Sequence, residues 1–171
     1  MSISLKVGAN IVVYTGNAQL ASAAFASIAS YIEIIYHCNN TTGEFELITS
    51  NTLMMPYGVY YLEITQACIW SYGIDTTPPN SVQLYTRFTG NYVSYCGPEQ
   101  LAGNAFGLII PYIEKVYYWN NITSQYKLVT SSTLMIPYGV YYLEVTQDCL
   151  WIFAELGQSI SQFVIADFSK V

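Results

Sequence analysis

The chain has 171 residues, of which 9% are charged, 53% hydrophobic and 16% aromatic, with 17 tyrosines. Soluble domains ordinarily carry roughly 25% charge, so this composition suits a protein held against neighbours, tyrosine supplying rigid contact area with a polar tip. The net charge of −6, with Lys6, Arg87, Lys115, Lys127 and Lys170 as the only Lys and Arg, excludes a basic stripe for a nucleic-acid backbone, and the apolar runs fall far short of the roughly 18 residues of a spanning helix.

Residues 2–7 alternate Ile3, Leu5 and Val7 against Ser2, Ser4 and Lys6, the period-2 signature of a half-buried strand. Residues 10–14 continue as β and Gly16-Asn17 turns the chain. Residues 19–29 are Ala-rich, with Leu20, Ala24, Phe25 and Ile28 at helical spacing, and predict one short helix on a sheet. Its second version, 100–109, follows Gly97-Pro98-Glu99, a favourable helix start. Segments 31–37 and 112–119 are β-branched and aromatic and predict strands; 39–43 and 120–124 carry hairpin-turn residues, and 45–49 and 126–130 return. Pro56-Tyr57-Gly58 and Pro137-Tyr138-Gly139 predict tight turns in which Pro presets φ and Gly accepts φ > 0. The most strand-like segments, 59–65 and 140–146, follow. Residues 82–88 resemble the opening strand, and 162–171 alternate in the same way, suited to pairing with the first module or with a neighbouring subunit.

These parallels are a tandem duplication. Residues 10–70 and 91–151 align without a gap at an offset of 81 positions, with Met54 to Trp70 returning as Met135 to Trp151 almost unchanged. The expected fold is mainly β (α+β): two tandem modules of about 80 residues, each an antiparallel sheet with one short helix. Residues 1–75 form module one, 76–81 a linker stiffened by Pro78-Pro79, 82–155 module two and 156–171 a C-terminal strand or tail. Modules this small are expected to share an interface.

Of the four cysteines only Cys68 and Cys149 correspond; Cys38 aligns with Trp119 and Cys96 with Thr15. A duplicated disulfide would need two matched pairs, so buried free thiols are expected, with a Cys38–Cys68 or Cys68–Cys96 bridge as the alternative.

In the repeated motif, Asn10, Leu53, Pro56, Gly58, Tyr60, Tyr61, Cys68 and Trp70 recur as Asn91, Leu134, Pro137, Gly139, Tyr141, Tyr142, Cys149 and Trp151. The pattern resembles the short "GWN…GYW" repeats found in tandem in bacterial and archaeal cell-surface and secreted proteins. The resemblance covers both modules, about three quarters of the chain. It departs where Gly-Trp would open the repeat, which is Gly8-Ala9 and Thr89-Gly90 here, and where Pro-Gly of the turn is Pro-Tyr. It implies a surface-exposed, non-catalytic structural or adhesive role and supplies neither catalytic residues nor a cofactor. No basic segment followed by an apolar core and a small-residue cleavage site opens the chain. By analogy, such a module without an export segment is expected in a virion protein, a capsid decoration or minor structural component.

Chemistry-bearing patterns are sparse. His37 is the only histidine and the second copy has Tyr118 there; no G-x-S-x-G, C-x-x-C, H-x-x-x-H or calcium loop is present. Glu33 with Glu114 and Glu63 with Glu144 recur, as an acid/base pair would, yet glutamates on the solvent face of a strand need no function. Along 59–64, Tyr60, Leu62 and Ile64 share one face, expected to be core, while Val59, Tyr61 and Glu63 share the other. The candidate interface or ligand contacts are therefore Tyr57, Tyr61, Glu63, Tyr138, Tyr142 and Glu144, and Pro56, Gly58, Cys68, Trp70, Pro137, Gly139, Cys149 and Trp151 are structural. Asn39, Asn40 and Asn121 sit in N-x-T sequons. The expected function is a non-enzymatic structural protein of an assembled surface, on a virion or at the cell surface, oligomeric or lattice-bound and contacting itself or a coat protein. The alternative is an extracellular module binding carbohydrate or a host surface. No metal or cofactor is expected.

Overall fold

A computed structural model describes residues 1–87 and 89–153. The expected C-terminal strand at 162–171 lies outside the described residues. Module one runs β1 (Ser2–Leu5), β2 (Gly8–Tyr14), β3 (Gln19–Leu20), α1 (Ala21–Ala24), β4 (Ile32–Asn39), β5 (Glu44–Leu47), β6 (Leu53–Met54), β7 (Gly58–Ile64) and β8 (Cys68–Ser71). Module two repeats it: β9 (Ser81–Leu84), β10 (Asn91–Ser94), β11 (Gln100–Leu101), α2 (Ala102–Phe106), β12 (Ile113–Asn120), β13 (Gln125–Leu128), β14 (Leu134–Met135), β15 (Val140–Val145) and β16 (Cys149–Ile152). Each module is a four-stranded antiparallel sheet, β2-β7-β4-β5 or β10-β15-β12-β13, flanked by the ribbons β1–β8 and β3–β6 or β9–β16 and β11–β14. The fold is mainly β in two similar groups of strands. Strands β8 and β16 were not anticipated from sequence.

The inner face of each sheet builds a separate core. In module one, Val12, Tyr14, Ile35, Tyr60, Leu62 and Ile64 pack with Phe25, Ile28, Met54 and Trp70. In module two, Val93, Tyr95, Val116, Tyr141, Leu143 and Val145 pack with Phe106, Ile109, Met135 and Trp151. Trp70 lies between Tyr14, stacked at 5.6 Å, and Phe25 at 4.5 Å, and its indole N–H donates to Ala24 O at 2.8 Å. Trp151 repeats this with Tyr95 at 5.5 Å, Phe106 at 4.7 Å and a 2.8 Å bond to Ala105 O. The Asn opening each repeat is fully buried and closes the loop before it: Asn10 Oδ1 accepts from Lys6 N and its Nδ2 donates to Lys6 O, and Asn91 does the same with Tyr85.

The expected helices are shorter than the sequence pattern. Gln19 and Leu20 pair with Met54 and Leu53 instead of starting a helix, and the N–H groups of Ala21 and Ser22 donate to Thr52 O and Ser50 O. Only Ala21–Ala24 is α-helical, followed by a 3-10 turn at Ala29–Tyr31. In module two Gly97-Pro98-Glu99 does not start the helix, which begins at Ala102; Gly107, at φ 41, ends it, and Gly107–Tyr112 is a 3-10 segment containing Pro111. The tight turns form, but φ > 0 falls on Tyr57 and Tyr138, both at φ 61, and not on the glycines. Gly58 is needed for space: a Cβ there would sit 2.9 Å from the Tyr60 ring and 3.1 Å from Met55 O.

Outer faces of the two sheets meet in a third apolar cluster, Ile11, Val13, Cys38 and Val59 against Trp119 and Val140. The contacts are reciprocal, β7 against β10 and β2 against β15, and Tyr57 meets Tyr138, its own counterpart. Equivalent residues touching each other is the mark of two-fold packing, so the modules are related by a pseudo-two-fold axis. The seam is asymmetric in its polar contacts. Asn121 bonds the edge of β2, accepting from Ile11 N at 3.0 Å and donating to Ile11 O at 2.8 Å, while Trp119 Nε1–H donates to its Oδ1 at 2.6 Å. In module one Cys38 replaces the tryptophan and offers no such donor; Asn40 donates to Gln83 O, and its buried Oδ1 has no partner among the described residues.

Candidate functional site

Outward positions of module two gather into an aromatic cleft. On β15 the inward residues Tyr141, Leu143 and Val145 are core, which turns Tyr142 and Glu144 outward. Tyr92 on β10 and Tyr117 on β12 stand directly across from Tyr142, with rings 5.2 Å and 6.2 Å away. Tyr126 on β13 closes the next side, its ring 6.4 Å from Tyr117 and its hydroxyl 3.0 Å from that of Tyr92. Phe45 reaches over from β5 of module one to 5.4 Å from Tyr92. With Thr89 these residues line a cleft of about 370 Å³.

Neighbouring rings in the cleft are inclined by 43° to 72°, so they form walls and not a flat platform. Tyr142 OH donates to Glu144 Oε1 at 3.0 Å, and Lys115 Nζ holds the other carboxylate oxygen at 3.1 Å. Burial and then the Glu144 hydrogen bond push the Tyr142 phenol up; burial and the bond to Tyr92 do the same for Tyr126. The Tyr142 and Tyr126 phenols thus stay neutral at physiological pH, and the cleft offers apolar faces and hydroxyl groups that donate and accept. Such a surface can stack on an apolar ring while hydrogen bonding its substituents.

Module one does not reproduce the cleft. Tyr61 stands where Tyr142 does, 6.3 Å from Tyr36, and donates to Glu63, whose bond is the main cause pushing the Tyr61 phenol up to about 12. Ile11 replaces Tyr92, and Ile34 lies across from Glu63 where Lys115 faces Glu144. The six candidate contacts therefore come together in pairs: Tyr61 with Glu63, Tyr142 with Glu144, and Tyr57 with Tyr138 across the pseudo-two-fold axis. Tyr57 is buried, its hydroxyl donating to Asp75 O at 2.7 Å, and burial pushes its phenol up to about 12; Tyr138 is 39% exposed. Tyr61 packs partly into the seam. Only Tyr142 belongs to the cleft, and Glu144 orients it.

The structural residues are placed as their types suggest. Pro56, Gly58, Pro137 and Gly139 shape the turns, and Trp70 and Trp151 centre the cores. Cys68 and Cys149 pack beside those cores on β8 and β16. All four cysteines are free thiols, so neither alternative bridge forms; burial pushes Cys38 up to about 12 and Cys96 to about 11. His37 Nδ1 lies 3.6 Å from Glu46 and its ring 5.1 Å from Tyr60. Glu33 and Glu114 sit at β-bulges, each opposite the register shift of its strand against β7 or β15. Among the described residues, no group of three or more His, Cys, Asp and Glu is placed to hold a metal ion, and no helix is long and apolar enough to cross a membrane.

Sequence reasoning missed Phe45, Tyr92, Tyr117, Tyr126, Thr89 and Lys115. Tyr117 follows the inward Val116 on a predicted strand, a signal that could have found it; Tyr126 lies on a strand exposed throughout and Phe45 arrives from the other module, and neither left such a signal. Comparisons with protein-family models, curated proteins and solved structures return no match.

Proposed function

We propose that this chain is a non-enzymatic structural subunit of an assembled protein surface, most concretely a decoration or minor structural protein of a virion, or else a component of a cell surface. The observation that supports this reading is a duplicated set of exposed apolar residues. Leu20 and Leu53 face each other across β3–β6 at 47% and 51% exposure, and Leu101 and Leu134 repeat them across β11–β14 at 47% and 51%. Met55 with Ile136 and Ile69 with Leu150 are also exposed in both copies. Scattered apolar residues on a surface need no explanation, but paired leucines kept outward twice, on a chain with 9% charge, suit contact with other subunits. Light scattering of the purified protein over a concentration series tests the reading. The expected result is a discrete oligomer or ordered growth, reduced when the four leucines are changed to serine; a strictly monomeric wild type overturns it.

A second reading, an adhesive module for carbohydrate, rests on the cleft of Tyr92, Tyr117, Tyr126, Tyr142 and Phe45. Binding to a glycan array by the monomer, lost in Tyr117→Ala and Tyr142→Ala, is the expected outcome; an array without binding removes this reading.

A further inference from the structure

Each four-stranded sheet ends on a hairpin strand with one neighbour among the described residues, β5 beside β4 and β13 beside β12. All four residues of β5 and all four of β13 are exposed. A strand of this kind presents a row of backbone N–H and C=O groups to any other strand, and folded proteins usually blunt it. Here the apolar content is high on both edges. Phe45 and Leu47 share one face of β5 at 49% and 57% exposure, and Tyr126 and Leu128 share the same face of β13 at 42% and 63%.

The other faces differ in charge. Strand β5 carries Glu44 and Glu46, and β13 carries Gln125 and Lys127 at the equivalent positions. Glu46 has local partners, Asn39 Nδ2 at 2.6 Å and His37 Nδ1 at 3.6 Å. The side chains of Glu44 and Lys127 have none among the described residues.

The geometry points to an intermolecular sheet in which β5 of one copy pairs antiparallel with β13 of a second copy of this chain. The inference deepens the assembled-surface reading and rests on it. An antiparallel register that sets Lys127 opposite Glu44 also sets Tyr126 opposite Phe45. Sliding by two residues sets Lys127 opposite Glu46 and Tyr126 opposite Leu47. In both, opposite charges meet on one face and apolar side chains on the other, the pairing that favours a strand ladder. The like pairings are worse. When β5 meets β5 with Phe45 opposite Phe45, Glu44 of each copy faces Glu46 of the other; β13 against β13 brings no carboxylate to Lys127. Charge therefore selects the unlike pair. Since every copy has one β5 and one β13, the contact is heterologous, and repetition gives a closed ring or an open chain.

The test uses the full chain and its native mass by light scattering, with circular dichroism as the check on folding. Two variants are needed, Lys127→Glu and the double change Glu44→Lys with Glu46→Lys. At a concentration where the wild type is assembled, each variant alone is expected at monomer mass. Their equimolar mixture is expected to regain at least twice that mass, because each variant supplies the charge the other lacks. Raising the salt is expected to weaken wild-type association. Variants that fold and keep the wild-type mass overturn the edge pairing and leave the assembled-surface reading standing, as does a mixture that stays monomeric. A wild type that is monomeric throughout overturns both.

Discussion

The rings of Tyr57 and Tyr138 meet with centroids 6.0 Å apart, although each is the other's counterpart in the duplicated sequence. Both occupy the left-handed region at φ 61, directly after a proline, where a turn of this type ordinarily takes glycine. A non-glycine residue there costs about 1–2 kcal/mol, which a buried ring can offset and an exposed one cannot. Tyr57 is 8% exposed and bonded to Asp75, whereas Tyr138 is 39% exposed. Replacing Tyr57 with glycine is expected to destabilise by about 2–3 kcal/mol, through lost burial and a lost hydrogen bond. The same change at Tyr138 is expected to alter stability by less than about 1 kcal/mol, as relief of strain offsets the lost contact. Denaturant midpoints measure both, and equal losses would remove the argument.

That turn shows where the sequence was legible and where it was not. Pro56 and Gly58 announce a turn, and alternation through 59–64 assigns Tyr60, Leu62 and Ile64 to the core, which is where they lie. The assignment of φ > 0 to Gly58 failed because Gly58 is required by the closeness of Tyr60, a contact invisible without the fold. Helical spacing over 19–29 overstated the helix for a related reason: Gln19 and Leu20 pair with Met54 and Leu53 as a short ribbon, so the helix starts only at Ala21. The cleft was the least legible feature. Tyr142 could be read as outward-facing, but Phe45 joins it only because the pseudo-two-fold brings the β4–β5 hairpin onto module two. That approach is close enough that a Cβ on Gly43 would lie 2.6 Å from Thr89 and 2.7 Å from Arg87.

Asymmetry in the seam predicts unequal roles for two asparagines in equivalent positions. Asn121→Ala leaves both backbone groups of Ile11 and the Trp119 indole N–H without partners, at an expected cost of about 2–4 kcal/mol. Asn40→Ala removes one bond to Gln83 O together with a buried oxygen that is unpaired among the described residues, and should cost about 1 kcal/mol or less. Thermal unfolding of the two variants side by side checks the order. A reversed order would mean that the seam is not held as described.

Alkaline pH should unfold the protein before strong denaturants are needed. Tyr60 and Tyr141 are almost completely buried, and burial pushes each phenol up to about 12. A folded-state pKa above the unfolded value of roughly 10 means that the unfolded chain loses these protons first. Stability from this source is therefore whole below pH ~10 and falls as pH climbs towards ~12, by about 1.4 kcal/mol per pH unit for each such group. The part of the tyrosinate absorbance that comes from Tyr60 and Tyr141 should appear together with the loss of circular dichroism as pH rises. Tyrosines that all ionise near pH ~10 with the fold intact would contradict the burial described.

Trp70 and Trp151 offer a test of how independent the two cores are. Each indole N–H serves one carbonyl, Ala24 O or Ala105 O, at 2.8 Å, and each ring lies between a tyrosine and a phenylalanine. Changing either to phenylalanine removes that donor and part of the ring, for an expected loss of about 2–4 kcal/mol in each module. The tryptophans lie in separate clusters, and the seam is built from a third. Residues without shared partners act additively within about 0.5 kcal/mol, so Trp70→Phe combined with Trp151→Phe should cost the sum of the single changes. A double variant losing markedly less than that sum would mean that disrupting one core already disrupts the other. The seam, and not the intramodule packing, would then be the limiting element of stability.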